Sequence, residues 1–565
     1  MLMTDSRITA LVCQSPAAPF TNACAGTEIL QSRLPENGWH GIAVLLGMTL
    51  GTAWMAGGSY LLSRHLWMDE IHSWILVSDP DTGHAIRALA DGVDFNPPTW
   101  FLATRMLSFP SSVSEFKLRV LSLLWMLLAL AGLYRLLLLR FSGATSRIAV
   151  LLTAAHPLLI HHSTEIRFYG FWCASVLWLC NCLLWEPESA WQRRLQRVLN
   201  ALLTLSVVTC HYFGILSLGL VTLPLLLRWK ANRRVALPAL FAIGIGCVGL
   251  LTCLPFLTGQ RAALTRPTWI SPPTITDSLL FLQTLFPVWQ IGLCLAGYLI
   301  SRAVISGTTE SEASKLGSRG YAVDLPVEWP GPKRTATGAT ASDFGRCLWP
   351  CLSLSLMPAV IVVVSWCVQP ALVTRYAIVG LAGFAPLFAI LLDCCVPVLR
   401  RTILICALLG CGHAVASCVA DCKSNDRENE QLIAELSSCP SDEVVVFEDR
   451  IVWMAALHCC PELAGRCVLA DFTETQLSLD SSLRIVQRDV ARRIAQWYPR
   501  YSIRSLASLN RLHAFCVVPY HGGTAYDLKY PSNFLPERTS HAVYRFVRNE
   551  ADVVPSPPST LNVFR

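Results

Sequence analysis

Asp69 and Glu70 stand side by side in HLWMDEIHSW, just past a long apolar run at residues 41–62. Two adjacent carboxylates beside a membrane are costly to hold, so they suggest a task. Further polar groups follow in DFNPPTWF (residues 94–101), HHSTEIRFYGFW (161–172), CHYFG (210–214), RPTWISPP (266–273) and QPALVTRYAIVG (369–380). A carboxylate within hydrogen-bond distance of a hydroxyl can take its proton. Arginine can pair bidentately with phosphate. A second acid can bind a sugar hydroxyl, position the first acid or hold a metal. The set fits transfer of a sugar from a lipid phosphate, and a lipid donor would explain a site at a membrane interface. Blander readings stand beside this. An Asp-Glu pair is often a solvated turn or a helix start. Arg375-Tyr376 could be an interfacial anchor. Glu165 and Arg167 could cap the helices they separate. What weighs against them is that the groups recur, each at the end of an apolar segment.

The elements that must position these residues are membrane helices. The chain has 565 residues, 53% hydrophobic and only 15% charged, with mean hydropathy +0.46; an ordinary soluble domain carries about 25% charged residues. The net charge of +7 does not indicate nucleic acid, because the basic residues fall in short loops between apolar runs. The 23 cysteines are mostly scattered singly in apolar stretches, where cysteine acts as a small hydrophobe. Cys459-Cys460, with Cys439, Cys467 and Cys516, could form disulfides if the C-terminal part lies outside the cytosol. The first residues lack the basic start and apolar core of a cleavable signal, so the first span reads as an uncleaved anchor.

Hydropathy gives about eleven spans: 41–62, 118–139, 147–163, 166–185, 197–210, 211–229, 235–257, 284–304, 348–368, 374–395 and 401–420. With residues 1–40 as a cytoplasmic segment, every basic cluster falls on the cytoplasmic side. These clusters include Arg140 and Arg147, Arg193, Arg194 and Arg197, Lys230 to Arg234, and Arg400-Arg401. The opposite face then receives the 64–117 loop and residues 422–565. It also receives Asp69, Glu70, Asp94, Asn96, Glu165, Arg167, Tyr169, His211, Tyr212, Trp269, Arg375 and Tyr376. Residues 41–421 form the membrane domain. The 305–346 segment, rich in Gly, Ser, Thr and Pro, reads as a flexible cytoplasmic loop. Residues 422–565 read as a small α/β domain: DEVVVFED, CVLAD (467–471) and HAFCVVPY (513–520) have strand character, and 482–498 is helical.

At this point the chain resembles the C-type glycosyltransferase (GT-C) superfamily. Within it, the likeness is to bacterial relatives of dolichyl-phosphate-mannose-protein mannosyltransferases and of the aminoarabinose transferase acting on lipid A. That family places an Asp-Glu pair after its first membrane helix, matched by Asp69-Glu70. A D-x-x-PP-like element is matched by Asp94, Asn96, Pro97 and Pro98. A Q-E-x-R-x-Y-like element is matched by Glu165, Arg167 and Tyr169, with Thr164 in place of Gln. A T-H-Y-like element is matched by His211-Tyr212 behind Cys210, and a late R-Y pair by Arg375-Tyr376. The likeness covers roughly 40–420 and rests on five short motifs in order. It implies the GT-C fold, a polyprenyl-phosphate sugar donor and a lipid, glycan or protein acceptor. It also implies an inverting mechanism with Asp69 as general base, and a bacterial inner membrane with the site facing outward. Arg375 and Arg167 become candidates for the phosphate, and Asp94 for a substrate hydroxyl.

No cofactor is required by this reading. A divalent metal is allowed, with His72 and His211 as possible ligands beside Asp69 and Glu70. Trp269, in a proline-constrained loop, could be a sugar platform or a belt anchor. The arginines of 482–498 could meet acidic lipid or glycan, or simply solvate a helix face. A transporter or lipid flippase is the competing class, since charges in membranes also mark transport paths. It calls for midplane charges and repeated halves with broken helices.

Overall fold

The computed structural model describes residues 38–108, 113–227, 233–264, 270, 272–317, 349–437, 439–472, 482–509, 511–519, 534–538 and 543–548. Each of the expected spans coincides with helix. Among the described residues, five helices are long and apolar enough to cross a membrane: Glu115–Leu138, Ala236–Ala262, Trp349–Cys367, Thr374–Asp393 and Pro397–Ser437. His40–Met55, Tyr169–Leu184 and Gly214–Leu226 are shorter apolar helices. The protein is a polytopic α-helical membrane protein with a small C-terminal α/β part.

Helices are numbered here through the first half of the chain: α1 (Gly38–Met55), α2 (Met68–Ser78), α3 (Thr82–Ala90), α4 (Thr99–Ser108), α5 (Glu115–Leu138), α6 (Gly143–Ala154), α7 (Pro157–Ser163), α8 (Tyr169–Leu184), α9 (Ala190–Cys210), α10 (Gly214–Leu226), α11 (Arg233–Ala262), α12 (Ile275–Leu285) and α13 (Val288–Gly317). One expected span, 147–163, is bent, and another, 284–304, begins at a bend that joins it to α12, which hydropathy left almost wholly outside any span. The 147–163 stretch bends by 76° between α6 and α7. Pro157 opens α7 there, and His156 Nδ1 accepts the Leu158 N–H at 3.2 Å. A proline tolerates the first turn of a helix but cannot continue the one before it. The second bend, 55°, separates α12 from the start of α13 at Pro287. Helix α13 then runs on to Gly317, so residues 305–317 are helical where a loop is expected. Glu310, Glu312, Ala313 and Lys315 are all tolerated or favoured in helices. Residues 318–348 lie outside the described residues.

The loop after α1 is itself built. Helices α2, α3 and α4 fill it, and the first two are each started by a local device. Glu70 Oε2 accepts the Trp67 N–H at 3.3 Å, and Asp81 Oδ1 accepts the Gly83 N–H at 2.7 Å. The turn out of α3 needs Gly92, whose φ is +93° and where a Cβ would sit 2.6 Å from the Ala263 Cβ. This turn delivers Asp94. Helices α5 and α8 approach closely at Gly170, where a Cβ would lie 2.8 Å from the Ser122 carbonyl oxygen. The segment between α7 and α8, which carries Glu165 and Arg167, is thereby set against the start of α5.

The last membrane helix, Pro397–Ser437, continues without a break past residue 421 to the C-terminal sheet. That sheet has six strands in the order β3-β2-β1-β4-β6-β5. They are β1 (Val444–Phe447), β2 (Cys467–Asp471), β3 (Ser502–Ser505), β4 (Ala514–Val518), β5 (Phe534–Arg538) and β6 (Tyr544–Arg548). The first four are mutually parallel, with Val445 opposite Cys467 and Val444 opposite Phe515. β6 runs antiparallel to β4, and β5 antiparallel to β6. The sheet domain rests on α2–α5. Trp497 Nε1 and Arg493 donate to Asp91, the Tyr498 hydroxyl donates to Asp79 at 2.9 Å, and His458 pairs with Glu115 at 2.8 Å. The arginines of Ser482–Trp497 are therefore partly internal. Arg488 pairs with Asp489, Arg492 with Asp471 and Arg493 with Asp91. Cys439, Cys459, Cys460, Cys467 and Cys516 are all free thiols.

Candidate active site

Asp69 and Glu70 are neighbours in sequence and have opposite environments, because successive helical residues point about 100° apart. Glu70 faces inward from the first turn of α2 and is fully buried. Its Oε1 lies 2.8 Å from Arg119 Nη1 and accepts the Ile166 N–H at 2.9 Å. Its Oε2 takes Arg119 Nη2 at 3.2 Å, Arg64 Nη2 at 3.4 Å and the Trp67 N–H. Both oxygens are occupied by protein. Glu70 is thus a brace joining α2, α5 and the α7–α8 turn, and it offers no free oxygen to a substrate.

Asp69 points the other way. Its side chain is 13% exposed and, among the described residues, carries one ion pair, Oδ2 to Arg375 Nη2 at 3.1 Å. Arg375 starts the segment Thr374–Phe384. Its guanidinium lies over the Trp67 ring, 5.4 Å from the centroid, and 6.0 Å from that of Tyr376, a cation–π arrangement that holds its plane.

Arg167 ties the remaining acids together. Its Nη1 donates to Asp94 Oδ2 at 2.5 Å, to the Asp69 carbonyl oxygen at 3.0 Å and to Ser73 Oγ at 3.0 Å. Burial opposes its charge, but Asp94 and Asp69 more than compensate and hold it protonated. Asn96 Nδ2 donates to the other Asp94 oxygen at 2.6 Å. Asp94 and Asn96 are thus locked in one loop by Arg167. The Asn96 carbonyl accepts from Gln260 Nε2 at 3.1 Å, and Gln260 Oε1 accepts the Tyr212 hydroxyl at 2.7 Å. Tyr212 therefore supports the 94–98 loop from behind.

An aromatic wall closes one side. His211 stacks on Phe168 (4.5 Å, 17°) and lies against Trp172 and Tyr376 at 5.0 and 5.2 Å. Its Nδ1 accepts the Phe213 N–H at 3.3 Å, which leaves Nε2 as the donor in the neutral ring. Tyr169 packs between His162 and Phe168. Glu165 binds His162 Nδ1 at 2.6 Å; burial acts to raise its carboxyl, but His162 and His161 hold it below the usual carboxylate range. His72 and His211 do not gather with Asp69 and Glu70 into a metal-ligand group among the described residues. Burial, with Arg450 and Arg167 nearby, pushes the His72 imidazole well below its usual range, so it is neutral. Trp269 lies outside the described residues.

Sequence reasoning missed several members. Arg119 carries a signal, a buried cation in the first turns of an apolar helix. Arg64, Ser73 and Gln260 carry none that is specific. The most consequential is Arg450, from the C-terminal domain. It follows β1, at the carboxyl end of the parallel strands. The strand order reverses there between β1 and β4, which is where open α/β sheets place their clefts. Arg450 is 5% exposed. Its Nη2 meets the Met68 sulfur at 2.8 Å, and its Nε and Nη1 find no hydrogen-bond partner among the described residues. Burial brings its ionisation down to about 10, against the opposing pull of Asp69, Asp449 and Asp94. A buried guanidinium with two unpartnered nitrogens has hydrogen-bonding capacity to spare for an anion.

No family model matches the sequence, and no curated protein matches it. Among solved structures the chain is similar to ArnT from Cupriavidus metallidurans bound to undecaprenyl phosphate. The identity is 12%, the TM-score 0.51, and the match covers 92% of this chain and all of that one. The apo state of the same ArnT is matched at TM-score 0.42 and 11% identity, over 90% of this chain and 98% of that one. The fold is therefore the GT-C fold, with its C-terminal α/β part included in the match.

Proposed function

We propose that this protein is a membrane glycosyltransferase. It moves a sugar from a polyprenyl-phosphate donor to a hydroxyl of a lipid, glycan or protein acceptor, at the extracytoplasmic face. The observation that carries the reading is the Asp69–Arg375 pair at 3.1 Å, beside an Arg450 with two unpartnered nitrogens. A carboxylate able to take a proton and a guanidinium able to take a phosphate oxygen stand next to one another. Support comes from the fold shared with ArnT, whose structure holds undecaprenyl phosphate.

In this reading Asp69 accepts the proton of the acceptor hydroxyl. That oxygen bonds to the anomeric carbon from the side opposite the phosphate, and the carbon–oxygen bond to phosphate breaks. The configuration inverts, and the lipid phosphate leaves with the electron pair. Arg375 and Arg450 stabilise the charge that gathers on it. Arg167 is held by Asp94 and two further acceptors, so it positions the 94–98 loop rather than meeting phosphate. Glu70 acts through Arg119 and the α7–α8 turn.

One observation favours transport: the two helix pairs broken by 76° and 55° are of the kind transporters use. The charged cluster weighs against it, since it gathers where α2, the α7–α8 turn, residue 375 and the C-terminal domain meet. The test is to incubate purified protein with a panel of polyprenyl-phosphate sugars and measure lipid phosphate released. Movement of a lipid-linked sugar across a vesicle membrane with no lipid phosphate released would favour the transport reading instead.

A further inference from the structure

His161, His162 and Glu165 sit at the end of α7 and in the turn leading to α8. One ligand-capable atom from each lies within 4.8 Å of the others. His162 Nδ1 is 2.6 Å from Glu165 Oε2, and His161 Nε2 is 3.4 Å from Glu165 Oε1. Ligand atoms around a tetrahedral zinc, at bonds of about 2.0–2.1 Å, stand roughly 3.3 Å apart. The spacing is that of a partly assembled site.

Two further observations point to a cation. Glu165 is completely buried, and its Oε1 receives no hydrogen bond among the described residues. A buried carboxylate oxygen without a donor is costly. His161 Nδ1 faces the Cys418 sulfur at 3.7 Å. A ring that donates Nδ1–H to that sulfur presents its bare Nε2 lone pair towards Glu165. This is how outer groups orient a metal-bound histidine. His161 also has a path to solvent: its side chain is 49% exposed, and it lines a groove of about 680 Å³ with Trp289, His413, Cys418 and Asp421.

We infer that His161, His162 and Glu165 bind one divalent transition-metal ion of the zinc type, with the fourth position open to water from the groove. Two imidazoles and one carboxylate favour such an ion over magnesium or calcium, which prefer all-oxygen sets. The ion would pin the α7–α8 turn, from which the Ile166 N–H reaches Glu70 and Arg167 reaches Asp94. It is a structural ion, distinct from the Asp69 cleft, and the inference does not depend on the proposed reaction.

The test uses tag-free, full-length protein in detergent, stripped with chelator, reloaded with zinc and passed through gel filtration. Metal is counted by mass spectrometry, and cobalt loading supplies a visible absorption signature. The wild type should retain about one zinc per chain, and His161→Gln and Glu165→Gln, which each remove a direct ligand, should weaken retention by at least the roughly 10–100-fold typical of losing an outer partner. His161→Gln is the safer variant for folding, because that side chain is half exposed. His413→Gln, which changes the groove but not the three ligands, should retain zinc as the wild type does. A well-folded wild type that keeps no zinc after reloading overturns the inference. So does full retention by monodisperse His161→Gln, or loss in His413→Gln equal to that in His161→Gln.

Discussion

Replacing Glu70 with glutamine removes a charge that two arginines share. Glu70 and Arg119 are both completely buried, 2.8 Å apart, with Arg64 at 3.4 Å. Glutamine keeps one oxygen and turns an NH₂ group to the place of the other. If Oε1 is kept, the NH₂ faces Arg64, Arg119 and the Trp67 N–H; if Oε2 is kept, it faces Arg119 and the Ile166 N–H. All of these are donors, so either orientation sets donor against donor. Breaking a buried pair by removing one partner costs roughly 3–5 kcal/mol, and Glu70→Gln should lose stability on that scale. Asp69→Asn should cost less than Glu70→Gln, because Asp69 pairs with one arginine that is itself 21% exposed, whereas Glu70 is shared by two buried ones. The assay is denaturant-induced unfolding in mixed micelles for both single variants, Arg119→Met and the double variant Glu70→Gln/Arg119→Met. Removing the orphaned arginine as well should recover at least about 1 kcal/mol relative to additivity. If Glu70→Gln unfolds with the wild type, or the double variant is simply additive, Glu70 is not the brace described here.

Arg375→Lys keeps a charge but loses the planar fork over Trp67 and should slow donor turnover by roughly 10-fold or more; wild-type donor kinetics would remove Arg375 from the site. Arg450→Gln should raise the donor KM and lower turnover with little loss of stability, because the cation is under-bonded before substrate arrives; unchanged kinetics would confine the C-terminal domain to a covering role. His72 is buried neutral, whereas the unfolded chain takes up its proton near pH 6.5. Stability should therefore fall as pH drops below about 6.5, by up to about 1.4 kcal/mol per pH unit from this group, and a His72→Gln variant with no flatter profile than wild type would contradict this. Cysteine-accessibility labelling should find residues 64–98 and 482–509 reachable from the extracytoplasmic side only; labelling of residues 70–98 from the cytoplasm would end the active-site reading.

The parts of the fold written in long apolar runs were legible from the sequence. So were β1, β2, β4 and the helix at 482–497, where apolar strands and an amphipathic pattern stand out from a polar background. What was not legible depended on local chemistry or on distant partners. Helices α2–α4 are short, and the starts of α2 and α3 are set by the side chains of Glu70 and Asp81 rather than by periodicity. The bend at Pro157 sits inside a stretch whose hydropathy alone reads as continuous, and α12, ahead of the bend at Pro287, falls almost wholly outside the span that hydropathy marked. The site motifs named residues that do converge: Asp69 with Arg375, and Arg167 with Asp94 and Asn96. Adjacency in sequence hid the division of labour within Asp69-Glu70, because only packing shows which carboxylate faces Arg119. Arg450 could not be found, since its meaning lies in Met68, Asp69 and Asp94, almost four hundred residues earlier.

The central claim is that Asp69 takes the acceptor proton. The most direct test is turnover of a lipid-phosphate sugar by Asp69→Asn in nanodiscs in the presence of an acceptor hydroxyl, with donor binding and folding measured in the same sample. Asparagine is nearly isosteric and cannot accept the proton at neutral pH, so binding should persist while turnover falls. A positioned general base contributes about 10²–10⁴-fold, and the account predicts a deficit of that size. Turnover within about threefold of wild type, far below the general-base range, would contradict it.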